Sequence, residues 1–142
     1  MISFNYENEF QLHNEDQISS WVSAVILSEK KKEGDINYIF CDDDYLLNIN
    51  NQYLNHDTLT DIISFDYSVG NELHGDIFIS TERVSDNAKD FDIPFEEELK
   101  RVLVHGVLHY CGYKDKSEID EQIMRNKAVS YTHLTLPTKR IV

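Results

Sequence analysis

The stretch from Pro94 to Gly112 constrains the fold of this chain most strongly, because both of its ends are marked. Proline is favoured at the first position of a helix, and Glu96, Glu97 and Glu98 follow where the helix dipole favours acidic side chains. Glycine is typical of the residue that ends a helix. The sequence therefore predicts one long helix across this stretch.

Shorter segments with strand or helix patterns lie on both sides of the long helix. Four segments have strand character, namely MISFNYEN, INYIFC, DIISFDY and GDIFIS. Four more have helical character, namely NEDQISSWVSAVILSEKKK, DDDYLLNINNQYLN, TERVSDNAKDF and EIDEQIMRNK. Their order predicts an α+β domain, with a small mixed sheet of about four strands packed with about five helices.

Several local signals refine the ends and faces of these elements. Asn14 and Gln17 resemble a capping box for the first helix, as Ser117 and Asp120 do for the last. We expect lysines to close the last turn of the first helix, and Gly34 to break the chain before the second strand. Five apolar residues predict the buried stripe of the first helix: Ile18, Trp21, Val22, Val25 and Ile26.

The chain of 142 residues is expected to form one domain, since 41% hydrophobic and 27% charged residues are typical of globular proteins. We predict that the domain covers residues 1–127. Residues 128–142 are interpreted as a non-native tail, because VSYTHLTLPT leaves the amphipathic pattern and matches a translated sequencing adapter. His133, within that tail, is therefore a poor candidate for a metal ligand.

The charge and the cysteines limit the environments and partners that fit. The net charge of −13 argues against a broad basic surface, so RNA binding would need a local basic patch, a metal ion or a partner. Cys41 and Cys111 lie far apart and are expected to be reduced thiols. No apolar run approaches about 20 residues, and no signal peptide is visible. We therefore expect a cytoplasmic protein without a membrane contact.

Two histidines near the end of the long helix predict a metal site. His105 and His109 are four residues apart, so their side chains project from one helix face. Gly112 permits a chain reversal that can bring Asp115 back, which gives the spacing H-x3-H-x5-D. Three such ligands leave a fourth position open on zinc for water, whose pKa the ion lowers toward about 7. The alternative is a pair of polar neighbours on a surface helix.

Four segments resemble the YbeY family of bacterial metal-dependent endoribonucleases. HGVLHYCGYKD resembles the family signature, and NNQYLNHDTLTDIISFDY, GDIFIS with TERV, and EEELKRVLVHG resemble further family segments in the same order. The resemblance runs from about Ile2 to Lys127. It implies a small mixed sheet packed against helices, one zinc ion per chain near the end of the long helix, and cleavage of single-stranded ribosomal RNA.

The resemblance assigns roles to individual residues. His105 and His109 match the first two ligands of the family, and Asp115 stands at the third position, which is most often histidine. Leu54 stands where the family typically carries an arginine that can hold a phosphate. Arg83 matches another family arginine, which either faces the substrate or ties down a helix.

Further residues are candidates for contacts around the site. Besides Arg83, we predict that His56 and Lys114 contact the substrate. Lys114 is one of several cations that could form a local basic patch, the others being Lys100, Arg101 and Lys116. Asp61 either caps the start of a strand or orients a ligand histidine without itself binding the metal.

Gly106 bears on the class of reaction. In zinc peptidases of the HExxH type, this position carries the glutamate that takes a proton from water. Glycine cannot do so, whereas phosphodiester cleavage can rely on metal-bound water and stabilisation of charge. We also interpret Gly106 as clearing space for a backbone to approach the metal.

These observations lead to one expected function and two alternatives. We expect a zinc-dependent, single-strand-specific endoribonuclease of 16S rRNA 3′-end maturation and ribosome quality control, in which His105 and His109 act through the metal-bound water. Its partners would be ribosomal RNA and the small ribosomal subunit or assembly factors. A ribosome-assembly binding module with a structural metal and little or no cleavage is the alternative that Leu54 and the net charge favour. Gly106 argues against a zinc hydrolase of peptides or small molecules.

Overall fold

A computed structural model describes residues 1–54, 60–114 and 116–132 of the chain. His56, Asp115 and residues 133–142 lie outside this described part. The described residues form four strands and five helices, which confirms the predicted α+β class. In chain order these are β1 (Ile2–Tyr6), α1 (Glu15–Ser28), β2 (Lys32–Cys41), α2 (Asp43–Leu54), β3 (Ile62–Asp66), β4 (Glu72–Ser80), α3 (Thr81–Phe91), α4 (Phe95–Tyr110) and α5 (Glu118–Thr132).

The strands form one mixed sheet in the order β1-β2-β4-β3. β1, β2 and β4 are parallel, whereas β3 is antiparallel to β4 and lies at one edge. The register sets Tyr38 of β2 beside Phe4 and Ile77, so these side chains share one sheet face. That face packs against α1 and α4, while Leu46 of α2 packs with Ile63 on the other face. Helices therefore cover both faces of the sheet.

The long helix α4 lies at the centre of the packing. It contacts α1, α3, α5, β3 and β4. From Arg101 to Tyr110, every residue is buried except Arg101, His105 and His109, which are partly exposed. These three residues are four apart, so they form a single stripe on the helix surface. The packing of α4 therefore leaves both predicted metal ligands on the face that reaches solvent.

The first helix confirms one expectation and contradicts two others. All five residues of its predicted apolar stripe are at most 3% exposed. Its predicted capping box does not form, because the side chain of Asn14 makes no capping hydrogen bond. The lysines do not close its last turn, since α1 ends at Ser28 and Lys30 adopts a left-handed backbone with φ of 62°.

Gly34 does not break the chain, as the sequence had suggested, but lies inside β2. A side-chain carbon at this position would be 2.4 Å from the carbonyl oxygen of Leu73 and 2.5 Å from the ring of His74. The two strands meet there at an irregularity in their register. Glycine is therefore needed for a close approach of two backbones rather than for a turn.

The last helix runs past the predicted domain boundary. The side chain of Ser117 accepts a hydrogen bond from Asp120 N, as the predicted capping box requires. The helix continues beyond Lys127 to Thr132, with Ala128 0% and Tyr131 6% exposed within the core. Residues 128–132 therefore pack against the domain, and the non-native origin of the tail stays a prediction.

Both cysteines are free thiols. Cys41 and Cys111 form no disulfide. Burial raises the pKa of Cys41 to about 12 and that of Cys111 to about 11, so both thiols stay protonated at neutral pH. Within the described ranges, no helix is long and apolar enough to cross a membrane.

We predict that Gly75→Ala destabilises the protein by about 3 kcal/mol, because it overpacks the contact between β4 and α4. The added carbon would be 2.2 Å from the Tyr110 hydroxyl and 2.4 Å from the Phe65 carbonyl oxygen. Urea unfolding measures the change. Gly70→Ala is the control, since its position has open space and should cost only about 1 kcal/mol for a left-handed backbone. Equal losses in the two variants would contradict the close-approach interpretation.

Candidate metal centre

The two histidines of α4 point their rings toward each other, with their Nε2 atoms within hydrogen-bonding distance. Their Nε2 atoms lie 3.1 Å apart, and their ring centroids are separated by 4.8 Å. Two zinc–nitrogen bonds of about 2.0–2.1 Å at a tetrahedral angle place their nitrogens about 3.3 Å apart. His105 and His109 therefore fit two positions of one zinc coordination shell with little adjustment.

Gly106 lies on the side of α4 that packs closely against the sheet. A side-chain carbon on Gly106 would be 3.0 Å from Ile77 Cδ1 and 3.1 Å from Ile62 Cδ1. The position next to the first histidine is therefore pressed against the sheet. Our interpretation that this glycine clears space for a backbone near the metal is wrong, because side chains of β3 and β4 fill that space.

The end of α4 reverses the chain as predicted. Gly112 has a φ of 105°, a left-handed value that glycine adopts readily. Its N–H donates to His109 O, and Tyr113 N–H donates to Leu108 O, which satisfies two carbonyls at the helix end. The chain thus turns back at Gly112, three residues before the predicted third ligand.

Asp115, the predicted third ligand, lies outside the described residues. Within the part of the chain that the structure does describe, no group of three histidine, cysteine or acidic side chains could hold a metal ion. The described residues therefore include two of the three predicted ligands, both on α4. The assignment of Asp115 as the third ligand stays a prediction.

A network of one buried and two partly buried charges borders the histidine pair on the preceding turn of α4. Arg101 donates from Nε and Nη2 to the carboxylate of Glu98, at 3.0 and 2.7 Å, and Glu98 is 0% exposed. The Asp61 carboxylate lies 3.7 Å from Arg101 Nη2 and accepts a hydrogen bond of 3.5 Å from Asn87. Burial raises the pKa of Asp61, although the charge of Arg101 opposes that shift. Asp61 thus contacts the arginine that precedes His105 by one turn.

A surface hollow opens beside His105. It is lined by Arg101 of α4 and by Glu121, Met124 and Arg125 of α5. Sequence reasoning included Arg101 among the possible basic residues but missed Arg125. No local pattern marks Arg125, because its position depends on how α5 packs against α4.

Two of the three predicted substrate contacts, Arg83 and Lys114, lie among the described residues. Arg83 Nη2 lies 3.0 Å from Asp43 Oδ2 and 3.0 Å from Asp86 Oδ2, so it ties α3 to α2. Lys114 is exposed on the loop after α4, and His56 lies outside the described residues. Their contacts with a substrate stay predictions.

Comparisons with known proteins give the relationships of the chain. The family model of Endoribonuclease YbeY matches residues 2–134. Two relatives called Endoribonuclease YbeY, from Flavobacterium psychrophilum and Flavobacterium johnsoniae, are each 72% identical over 127 residues, which is 89% of this chain and 91% of the relative. A third, from Christiangramia forsetii, is 57% identical over 126 residues, covering 89% of this chain and 88% of the relative.

A solved structure supports the fold. The solution structure of TM1509 from Thermotoga maritima matches with a TM-score of 0.65 and 24% identity, covering 93% of this chain and 89% of the other. At that identity the likeness concerns the fold alone. The family model and the close relatives, in contrast, extend over nearly all of the sequence. The chain therefore belongs to the Endoribonuclease YbeY family.

Proposed function

We propose that this protein is a zinc-dependent endoribonuclease that cleaves single-stranded RNA, with the ion held by His105, His109 and Asp115. The observation that carries the proposal is the 3.1 Å convergence of the two Nε2 atoms at the end of α4. Membership of the Endoribonuclease YbeY family supports RNA as the substrate. The expected biological substrate is ribosomal RNA, at the 3′ end of 16S rRNA, in the cytoplasm.

The residues around the histidines suit the hydrolysis of a phosphodiester. A bound zinc ion would supply Lewis acidity and neutralise developing negative charge. His105 and His109 would hold it on a rigid helix, since the rest of the last two turns of α4 is packed in the core. Gly106 offers no side-chain base beside the first histidine, which argues against a peptidase of the HExxH type.

The hollow beside His105 brings two arginines together in an acidic protein. Arg101 and Arg125 both line it, whereas the chain as a whole carries a net charge of −13. The guanidinium of Arg101 is already paired with Glu98, so Arg125 is the better candidate for a phosphate of the substrate. Glu121, on the same wall, partly offsets these cations. We therefore add Arg125 to the proposed substrate contacts.

The alternative is a ribosome-assembly binding module in which the metal is structural. The net charge of −13 favours this alternative, as does Leu54 at the position of a family arginine. In both cases the expected partners are ribosomal RNA and the small ribosomal subunit or its assembly factors. If the protein is the enzyme, losing the ion abolishes RNA cleavage. If it is the binding module, losing the ion unfolds the protein.

We predict about one zinc ion per purified chain, and loss of that zinc in both His109→Ala and Asp115→Ala. Both substitutions remove a proposed ligand, so the remaining two bind zinc weakly. Elemental analysis of the dialysed protein gives the metal content. His13→Ala is the control, because His13 is exposed on the loop before α1 and should leave the zinc in place. Zinc that stays bound to Asp115→Ala would exclude Asp115 as a ligand.

We predict that His109→Ala lowers the rate of single-strand RNA cleavage about 10³-fold while the protein stays folded. A chelator should cause the same loss in the wild-type protein, and added zinc should reverse it. Gel assays on single-stranded and duplex RNA measure the rate, and circular dichroism monitors the fold. A wild-type protein that does not cleave RNA, and that unfolds on loss of zinc, would support the binding module instead.

We predict that Arg125→Gln weakens binding of single-stranded RNA and reduces the slope of log affinity against log salt by about 1. The reason is that one phosphate contact, and its released counterion, would be lost. Fluorescence anisotropy at several salt concentrations measures both quantities. Lys89→Gln removes the same charge from the exposed side of α3 and serves as the control. Equal effects of both variants would indicate a general charge effect rather than a contact at the hollow.

A further inference from the structure

The hollow beside His105 has a neighbour that shares its two arginines. Arg101 and Arg125 line the hollow, between α4 and α5. The same two arginines line a second space of about 250 Å³, where α3, α4 and α5 meet. Phe91, at the end of α3, and Ile93, on the loop after it, add apolar surface there. This second space, the apolar groove, therefore adjoins the hollow at the arginine pair.

Phe91 is an exposed aromatic side chain that contacts Arg125. The guanidinium carbon of Arg125 lies 5.6 Å from the centre of the Phe91 ring, which is within the range of a cation–π interaction. Phe91 is nevertheless 49% exposed. An isolated apolar side chain on a protein surface is ordinary. Phe91, however, lies beside the cation proposed to bind a phosphate, and both residues precede the predicted tail at 128–142.

Arg125 can contact the ring and a phosphate at the same time. A guanidinium packs on an aromatic ring through its flat face and keeps the N–H donors at its edge for other partners. Arg125 is exposed on α5. Its contact with Phe91 restricts this long side chain, so less conformational entropy is lost when a phosphate binds. Phe91 therefore holds Arg125 at the border between the hollow and the apolar groove.

The polarity of the lining changes between the hollow and the apolar groove. Among the described residues that line the hollow, the two arginines outnumber one carboxylate, that of Glu121. In the groove, the same arginines are balanced by the carboxylates of Glu97 and Glu98 and are accompanied by apolar side chains. An anion is attracted where positive charge is in excess, whereas a neutral group is not repelled where the charges balance. The arrangement therefore fits a phosphate at the hollow and an uncharged, flat group at Phe91.

We propose that the apolar groove is a base-binding subsite for single-stranded RNA. One nucleobase next to the phosphate held by Arg125 lies in the groove and stacks on Phe91, while the RNA chain continues toward His105 and His109. Every nucleobase has a flat aromatic face, so this subsite accepts all four bases. Bases of single strands are free to be splayed out and stacked on aromatic side chains, so the subsite favours single strands over duplexes.

This inference rests on the proposed function, because it takes RNA as the substrate and Arg125 as its phosphate contact. A simpler role for Phe91 would be to hold Arg125 in place without touching the RNA. That role predicts that replacing Phe91 weakens binding of the RNA backbone whether or not the RNA carries bases. Stacking predicts an effect that depends on the bases.

We predict that Phe91→Ala in the full chain weakens binding of a single-stranded RNA oligonucleotide about 10-fold, because the stacking of one base is lost. Phe91→Tyr keeps an aromatic ring and should bind within about 2-fold of wild type. Fluorescence anisotropy measures the affinity, and circular dichroism monitors the fold. Ile123→Ala is the matched control, since Ile123 is 50% exposed on α5 and is not among the described residues that line the groove.

An abasic oligonucleotide of the same length, which keeps every ribose and phosphate, separates stacking from an indirect effect. If Phe91 stacks on a base, Phe91→Ala should weaken binding of the abasic RNA less than about 2-fold, so that the two changes are not additive. An equal loss on both RNAs would mean that Phe91 acts only through Arg125 and would overturn the inference.

Two other results would overturn the inference while leaving the proposed function intact. One is wild-type affinity for base-bearing RNA in Phe91→Ala. The other is a change of oligomeric state in Phe91→Ala with unchanged RNA affinity, which would make the groove an interface between copies of the chain. Failure of the proposed function has a different signature, namely a wild-type protein that neither binds nor cleaves single-stranded RNA. That signature overturns the proposed function and this inference together.

Discussion

The close contact between α4 and the sheet is the constraint on which the rest of the structure depends. Gly106 lets the helix lie against Ile62 and Ile77, and Gly75 makes room for Tyr110, whose hydroxyl lies 2.8 Å from the Phe65 carbonyl oxygen. These contacts fix both the distance and the rotation of α4. Because the buried face is fixed, the opposite stripe with its two histidines is fixed as well.

The same arrangement bears on how an acidic protein could bind RNA at the proposed site. The acidic residues are spread over many elements, whereas arginines of α4 and α5 meet at the hollow beside His105. A metal ion at the histidines would add further positive charge at the place where a phosphate has to bind. Local positive charge attracts an anionic substrate even where the net charge opposes it, and this is the role proposed for Arg125 and the ion.

Much of the fold could be predicted from the sequence because its signals are local and periodic. The apolar stripe of α1 identified its buried residues, and the marked ends of α4 identified its length. Glycine was harder to interpret, since it serves turns and close contacts alike. Gly34 looked like a chain break but lies within β2, and Gly106 looked like an opening near the metal but packs on the sheet. In both cases a neighbour distant in sequence decides the role.

The sequence by itself determined the class of fold, the family and the two histidines, because each depends on residue types at fixed spacings along one chain segment. Only the tertiary structure decided which groups surround those histidines. Three arrangements each involve separate elements: Arg101 contacts Asp61, Arg125 lies at the hollow beside His105, and Glu29 accepts a hydrogen bond from Tyr113. Such contacts arise from the packing of elements on the sheet, and the spacing of residues along the sequence carries no signal of them.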